Sequence, residues 1–171
     1  MTGGPARSHR VSCLRSNLVI ELGHVTERKP PFHYSAFARV AFSDTDAQGV
    51  VYYGRYMPYF DLARVEYHRH LGRPHLDDVD FAMRAIVVEY LAPARFDDLL
   101  EIFVRVERIG TTSITYDHAA YRLTHDDDED ELMATAKATL VCIALDVRRA
   151  VPVPDALREQ VTAFEAGSAL R

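Results

Sequence analysis

The sequence predicts an α+β domain in which an antiparallel sheet wraps one long helix. Two observations carry that prediction. A single segment with apolar residues at helical spacing follows one strand, and four strand-like segments come after it. The connections between those strands are short, which makes them antiparallel neighbours.

The elements read in order as follows. Residues 1 to about 31 lack steady periodicity and form an N-terminal extension closed by Lys29-Pro30-Pro31; within it, Leu18 to Val25 suits a short strand. A half-buried strand follows, in which Phe37, Arg39, Ala41 and Ser43 alternate with Ala38, Val40 and Phe42. The helix is expected from about Arg55 to Leu71. Tyr56, Phe60, Ala63, Tyr67 and Leu71 make its apolar stripe, and Asp61, Arg64 and His68 lie on other faces. Pro58 is tolerated near its start, and Gly72 with Pro74 ends it. Strands are expected at Arg84 to Leu91, Leu99 to Ile109, Ser113 to Leu123 and Leu132 to Leu145, with a tight turn at Gly110 and an acidic, solvated connection at Asp126 to Glu131. After Pro152-Val153-Pro154, Asp155 is placed to cap a short helix with Leu157, Val161 and Phe164 on one face. The division is therefore an extension to residue 31, a domain over 32–150, and a C-terminal helix and tail over 151–171.

Composition narrows the function. The 171 residues fit one domain, with 48% hydrophobic and 26% charged residues. A net charge of −5 argues against a nucleic-acid partner, and no apolar run is long enough to span a bilayer. Two cysteines, Cys13 and Cys142, do not make a disulfide framework, and the N-terminus is a poor signal peptide, so the chain reads as cytoplasmic. His68 and His70 sit about 200° apart around a helix, so they and nearby His75 read as solvated side chains rather than metal ligands. No metal or cofactor is expected. Arg105, Arg108 and Lys137 read as the wet face of strands.

The segment that asks for chemistry is Asp44-Thr45-Asp46-Ala47-Gln48-Gly49-Val50-Val51-Tyr52-Tyr53, which sets two carboxylates between a strand end and a helix start. Gly49 permits an unusual backbone angle or a close approach to a ligand. The amides around Tyr53 and Gly54 are helix-N-terminal donors, which favour developing negative charge. A carboxylate facing a carbonyl held by such donors suits acyl-thioester hydrolysis, with Asp46 as nucleophile or as general base. From the residues alone, Asp44 and Asp46 equally fit ordinary turn and capping roles.

The stretch from Val40 through Gly54-Arg55-Tyr56 and on to Phe60-Asp61-Leu62-Ala63-Arg64-Val65-Glu66-Tyr67 resembles the signature of the 4-hydroxybenzoyl-CoA thioesterase family, which includes acyl-CoA thioesterases associated with the Tol-Pal envelope system. The resemblance covers roughly His33 to Val147. It implies a hotdog fold, an acyl-CoA substrate, and a homo-oligomer, a dimer or a tetramer of dimers, with the substrate at a subunit interface. It places the catalytic carboxylate on Asp46 and the carbonyl-polarising amide on Tyr53, and leaves Asp44 structural. Gly49, Val50, Tyr52, Tyr56 and Arg64 are the expected substrate-binding residues. The Tol-Pal-associated relatives usually carry His at the position of Tyr53, whereas the 4-hydroxybenzoyl-CoA enzymes carry an aromatic residue there. Related polyketide thioesterases rely on a helix Arg at the position of Arg64, which here also suits a plain ion pair with Asp61 or Glu66. A non-catalytic hotdog module that binds acyl-CoA or an acyl carrier protein is the alternative, since fold does not fix function.

Overall fold

The computed structural model describes residues 22–72, 79–124 and 129–167. Its strands are β1 (Gly23–Val25), β2 (Tyr34–Arg39), β3 (Val79–Tyr90), β4 (Leu99–Ile109), β5 (Ser113–Arg122) and β6 (Glu131–Ala144); its helices are α1 (Tyr56–His70) and α2 (Asp155–Glu165). The strands form one antiparallel sheet in the order β1-β2-β4-β5-β6-β3, so the two strands flanking α1 in sequence are separated by three others in space. The sheet curls around α1, giving the expected α+β hotdog architecture.

The helix forms where its stripe was read. Tyr56, Phe60, Ala63 and Tyr67 are buried against sheet residues such as Ala36, Ile102, Val104 and Ile114. Each large side chain so buried contributes roughly 1.5–3 kcal/mol. Gly72 takes a φ of 73° just past the helix end, the left-handed conformation that stops a helix. β4 runs over the expected residues, and Gly110 N–H closes the following turn on the Ser113 carbonyl at 2.8 Å. The core thiol, Cys142, is buried and free.

Several expectations are corrected. The strand read through Ser43 stops at Arg39, because a 3-10 turn at Phe42–Asp44 begins there and the Asp44 carboxylate takes the Ala41 N–H at 3.0 Å. A short acidic side chain has outcompeted the ladder for a backbone donor. β3 starts at Val79, earlier than read, because long β6 supplies partners as far as Ala144. Asp155 does not cap α2: Pro154 holds the cap position without a side-chain bond, and Asp155 is the first helical residue, where its charge suits the helix dipole. His68 is buried, not solvated, because β5 brings Tyr116 beneath that turn of α1; His68 Nε2 lies 2.7 Å from the Tyr116 hydroxyl. His75 lies outside the described residues, as do Asp126 to Asp128 of the acidic run. Asp130 from that run is not left to solvent but pairs with Arg28 at 2.8 Å and Lys29 at 3.5 Å.

Part of the segment read as an extension joins the sheet. β1 pairs with β2, and residues 26–32 cross the outer face of the sheet. There Phe32 packs on Phe103, Lys29 sits over the Tyr121 ring, and Arg28 pairs with the fully buried Glu101, which also accepts the Ser35 hydroxyl at 2.7 Å.

Candidate active site

The connection from β2 to α1 is built around Asp44. One carboxylate oxygen accepts Arg55 Nε at 2.8 Å and the Arg55 Nη2; the other accepts the Tyr59 hydroxyl at 2.6 Å and the Ala41 N–H. Its main-chain carbonyl accepts the Tyr52 N–H at 2.9 Å. Burial alone would raise this carboxyl, but the hydrogen bonds from Tyr59, Arg55 and Ala41 outweigh it and hold it below the ordinary carboxylate value. Asp44 thus has its acceptor capacity filled from inside the protein.

Asp46, two residues on, is only half-buried and has a single side-chain bond, accepting the Gln48 N–H at 2.8 Å. Its backbone closes a small hairpin: Asp46 N–H donates to the Val50 carbonyl, Gly49 N–H donates to the Asp46 carbonyl, and Thr45 bridges Val51. Gly49 sits at φ 74° in this turn, which explains the residue type. Val51 N–H, bonded to the Ala94 carbonyl at 2.8 Å, fastens the hairpin to the segment after β3.

Val51 then leads to a 3-10 turn at Tyr53–Arg55 that runs directly into α1. The turn's first bond is donated by Arg55 to the Tyr52 carbonyl, so the N–H groups of Tyr53 and Gly54 precede it, and Tyr52 supplies no side-chain cap. The Tyr90 hydroxyl fixes this peptide from the other side by donating to the Tyr53 carbonyl at 3.0 Å.

Asp46, Val50, Tyr53 and Tyr56 line one open cleft of about 360 Å³, whose far wall is Tyr90 and the run Leu91 to Pro93. Burial pushes the Tyr56 phenol up, and Tyr90 likewise, so both rings are neutral walls. The other expected binding residues lie elsewhere. Gly49 shapes the turn without lining the cleft, Tyr52 is exposed and packs its ring on Tyr53, and Arg64 pairs with Asp61 at 3.1 Å beside a separate small cavity. The wall at Tyr90 to Pro93 was missed from the sequence because it reaches the helix start only through sheet closure. His118 was also missed, although its place in the inward alternation of Ile114, Tyr116 and Ala120 was a usable signal.

The arrangement can hold a carbonyl between an ionisable carboxylate and helix-start donors. The chain resembles the acyl-CoA thioester hydrolase YbgC of Escherichia coli O6:H1 at 37% identity over 109 residues, covering 61% of this chain and 78% of that protein. It resembles the acyl-CoA thioesterase YbgC of Haemophilus influenzae at 30% over 125 residues, covering 70% and 86%. A crystal structure of a 4-hydroxybenzoyl CoA thioesterase mutant bound to 4-hydroxybenzoyl CoA shares the fold, with a TM-score of 0.69 at 23% identity over 74% of this chain and 96% of that one. The Thioesterase superfamily model matches residues 48–128, from just after Asp46 through α1 to the end of β5, and with these relatives it shows that the chain belongs to the thioesterase superfamily.

Proposed function

We propose that this chain hydrolyses acyl-CoA thioesters to the free acid and CoA, with Asp46 as the catalytic carboxylate and the Tyr53 N–H as an oxyanion donor. One observation carries the assignment: the half-buried Asp46 carboxylate shares a cleft with an uncapped helix start, while its neighbour Asp44 is fully bonded. Asp46 acts as nucleophile or as general base; both routes need the carbonyl oxygen on the helix-start donors, where the dipole favours the developing charge. Val50 and Tyr56 form the floor beside the reacting carbon.

The enzyme acts as a homo-oligomer, a dimer or a tetramer built from dimers. β3 supports this reading: it is a 12-residue edge strand with Met83, Val87 and Tyr90 exposed, and long apolar edges are normally paired or covered. We place the enzyme in the cytoplasm, which suits the free thiol of Cys142. No helix among the described residues is long and apolar enough to cross a membrane.

A thiol-release assay with a panel of acyl-CoAs tests the proposal. Asp46→Asn is expected to lower kcat at least about a hundredfold with an unchanged circular dichroism spectrum. Equal release by parent and variant would overturn the role of Asp46.

A further inference from the structure

β3 ends inside the candidate site. Its pairing with β6 slips at Arg84, a bulge, and then runs unbroken from Ala85 to Tyr90, which stands opposite Ala134 as the last paired residue. Immediately beyond, Leu91 and Ala92 N–H both donate to the Met133 carbonyl, at 2.8 and 3.2 Å. Tyr90 is therefore carried on a fixed strand end and not on a loop. Its ring leans over the start of α1, with centroids 5.5 Å from that of Tyr56 and 6.4 Å from that of Tyr53. These contacts deliver its hydroxyl to the Tyr53 carbonyl, where it donates at 3.0 Å.

That carbonyl belongs to the turn carrying the oxyanion donor. It also accepts the Tyr56 N–H, while the Tyr52 carbonyl accepts the Arg55 N–H at 2.8 Å. Peptide units are rigid planes, so these bonds fix the planes on both sides of Tyr53 and with them the direction of its N–H. The bonds from Tyr56 and Arg55 are of the 3-10 kind, the poorer helical geometry. Of the three, only the Tyr90 bond comes from the sheet. The chain just after Tyr90 holds the other half of the site: the Ala94 carbonyl takes the Val51 N–H at 2.8 Å, and Arg95 bridges Val50. The stretch 90–95 thus fastens both the Asp46 hairpin and the Tyr53 turn. Burial and the neighbouring Tyr53 push the Tyr90 phenol up, so it keeps its proton and serves as a donor.

We propose that Tyr90 is a positioning residue for thioester hydrolysis: its hydroxyl holds the Tyr53 peptide so that the Tyr53 N–H and the Asp46 carboxylate stay aligned on one carbonyl. This role rests on the Asp46 cleft being the thioester site. Tyr90 transfers no proton and forms no bond to the reacting atoms. An oxyanion donor acts most strongly when it is aimed before the charge develops, because a loose donor must reorganise as the charge appears. The tether therefore stabilises the transition state more than the bound substrate, and its loss is read in kcat rather than KM.

The test begins with Tyr90→Phe, which keeps the ring and removes the donor. With acetyl-, octanoyl- and benzoyl-CoA as the panel, kcat for the best substrate is expected to fall about five- to twentyfold, with KM within about twofold of the parent and the pH limits of kcat unmoved. 4-Aminophenylalanine at position 90, which returns a donor to the same place on the ring, should restore most of kcat and covers the event that the phenylalanine variant is unstable. An unchanged kcat in Tyr90→Phe, a rise in KM with kcat intact, a moved pH limit, or an aminophenylalanine variant no faster than the phenylalanine one overturns the role of Tyr90 and leaves the hydrolase reading standing. Infrared spectra separate the two. In Asp46→Asn, panel acyl-CoAs labelled with carbon-13 at the thioester carbonyl are expected to show a lower carbonyl stretch than when free, and adding Tyr90→Phe should move it part of the way back. That pattern in a protein whose parent hydrolyses none of the panel would support Tyr90 and sink the hydrolase. The same lowered stretch with and without the Tyr90 hydroxyl would sink the role of Tyr90 alone; no lowering and no turnover would sink both.

Discussion

The two ends of α1 are finished differently. At its C-terminal end Leu71 N–H reaches the Tyr67 carbonyl, and the Tyr67 hydroxyl donates to Glu165 of α2 at 2.8 Å. The same Glu165 oxygen accepts Val106 N–H of β4, and Phe164 packs edge-on to Tyr67. At its N-terminal end the preceding turn lacks a side-chain cap and opens on a 360 Å³ cleft. Both ends are made from Tyr and carboxylates, so residue type does not separate them. What separates them is whether the carboxylate is tied to several of the protein's own donors, as Glu165 and Asp44 are, or has one such bond and faces a cleft, as Asp46 does.

Substitutions at each end break or sharpen that contrast. The largest effect after Asp46→Asn is expected at Asp44. Asp44→Ala strips Arg55, Tyr59 and the Ala41 N–H of their acceptor and should cost about 2–3 kcal/mol in denaturant unfolding, with a fall in kcat as the Asp46 hairpin loses its anchor. An unchanged kcat would mean that the hairpin holds Asp46 without Asp44.

Acid should act next, through buried titratable groups. His68 is brought down to about 4 by burial and by Arg64, and His118 to about 3. An unfolded chain protonates these rings near 6.5 while the folded one does not, so stability is full above that pH and falls as pH drops from about 6.5 toward 4, by a few kcal/mol between them. Asp44 has the opposite origin but the same direction at lower pH: its depressed folded value means that its contribution fades only as pH falls below the ordinary 3.8. Melting temperature followed from pH 7 to pH 3 should therefore decline in two stages, and His68→Gln should flatten the first. The smallest effect is expected for Tyr67→Phe, about 1 kcal/mol in stability with kcat unchanged, because it removes one of two bonds to Glu165 at the end remote from the cleft.

Much of this was readable in the chain. The α1 stripe at Tyr56, Phe60, Ala63 and Tyr67 and the alternation in β4 are local patterns, and local patterns survive folding. The Asp44 to Tyr53 segment was legible because its glycine, carboxylates and helix start fall within ten residues. Contacts between distant segments were not. Nothing near His68 announces Tyr116, 48 residues away, and nothing in Leu91-Ala92-Pro93 announces the Asp46 hairpin. The Arg84 bulge also escapes a period-2 reading, since one inserted residue resets the alternation without changing composition.

Residues 26–32 have a practical consequence for trimming the protein. Glu101 has no exposed surface, and its charge is answered by Arg28 and the Ser35 hydroxyl. A truncation starting at His33, which an eye for regular periodicity would favour, deletes the arginine and uncovers Phe103, so the shortened protein would carry a carboxylate sealed in the sheet with only a hydroxyl for company. The sensible cut lies before Leu22, whose carbonyl still holds the Phe37 N–H at 2.9 Å.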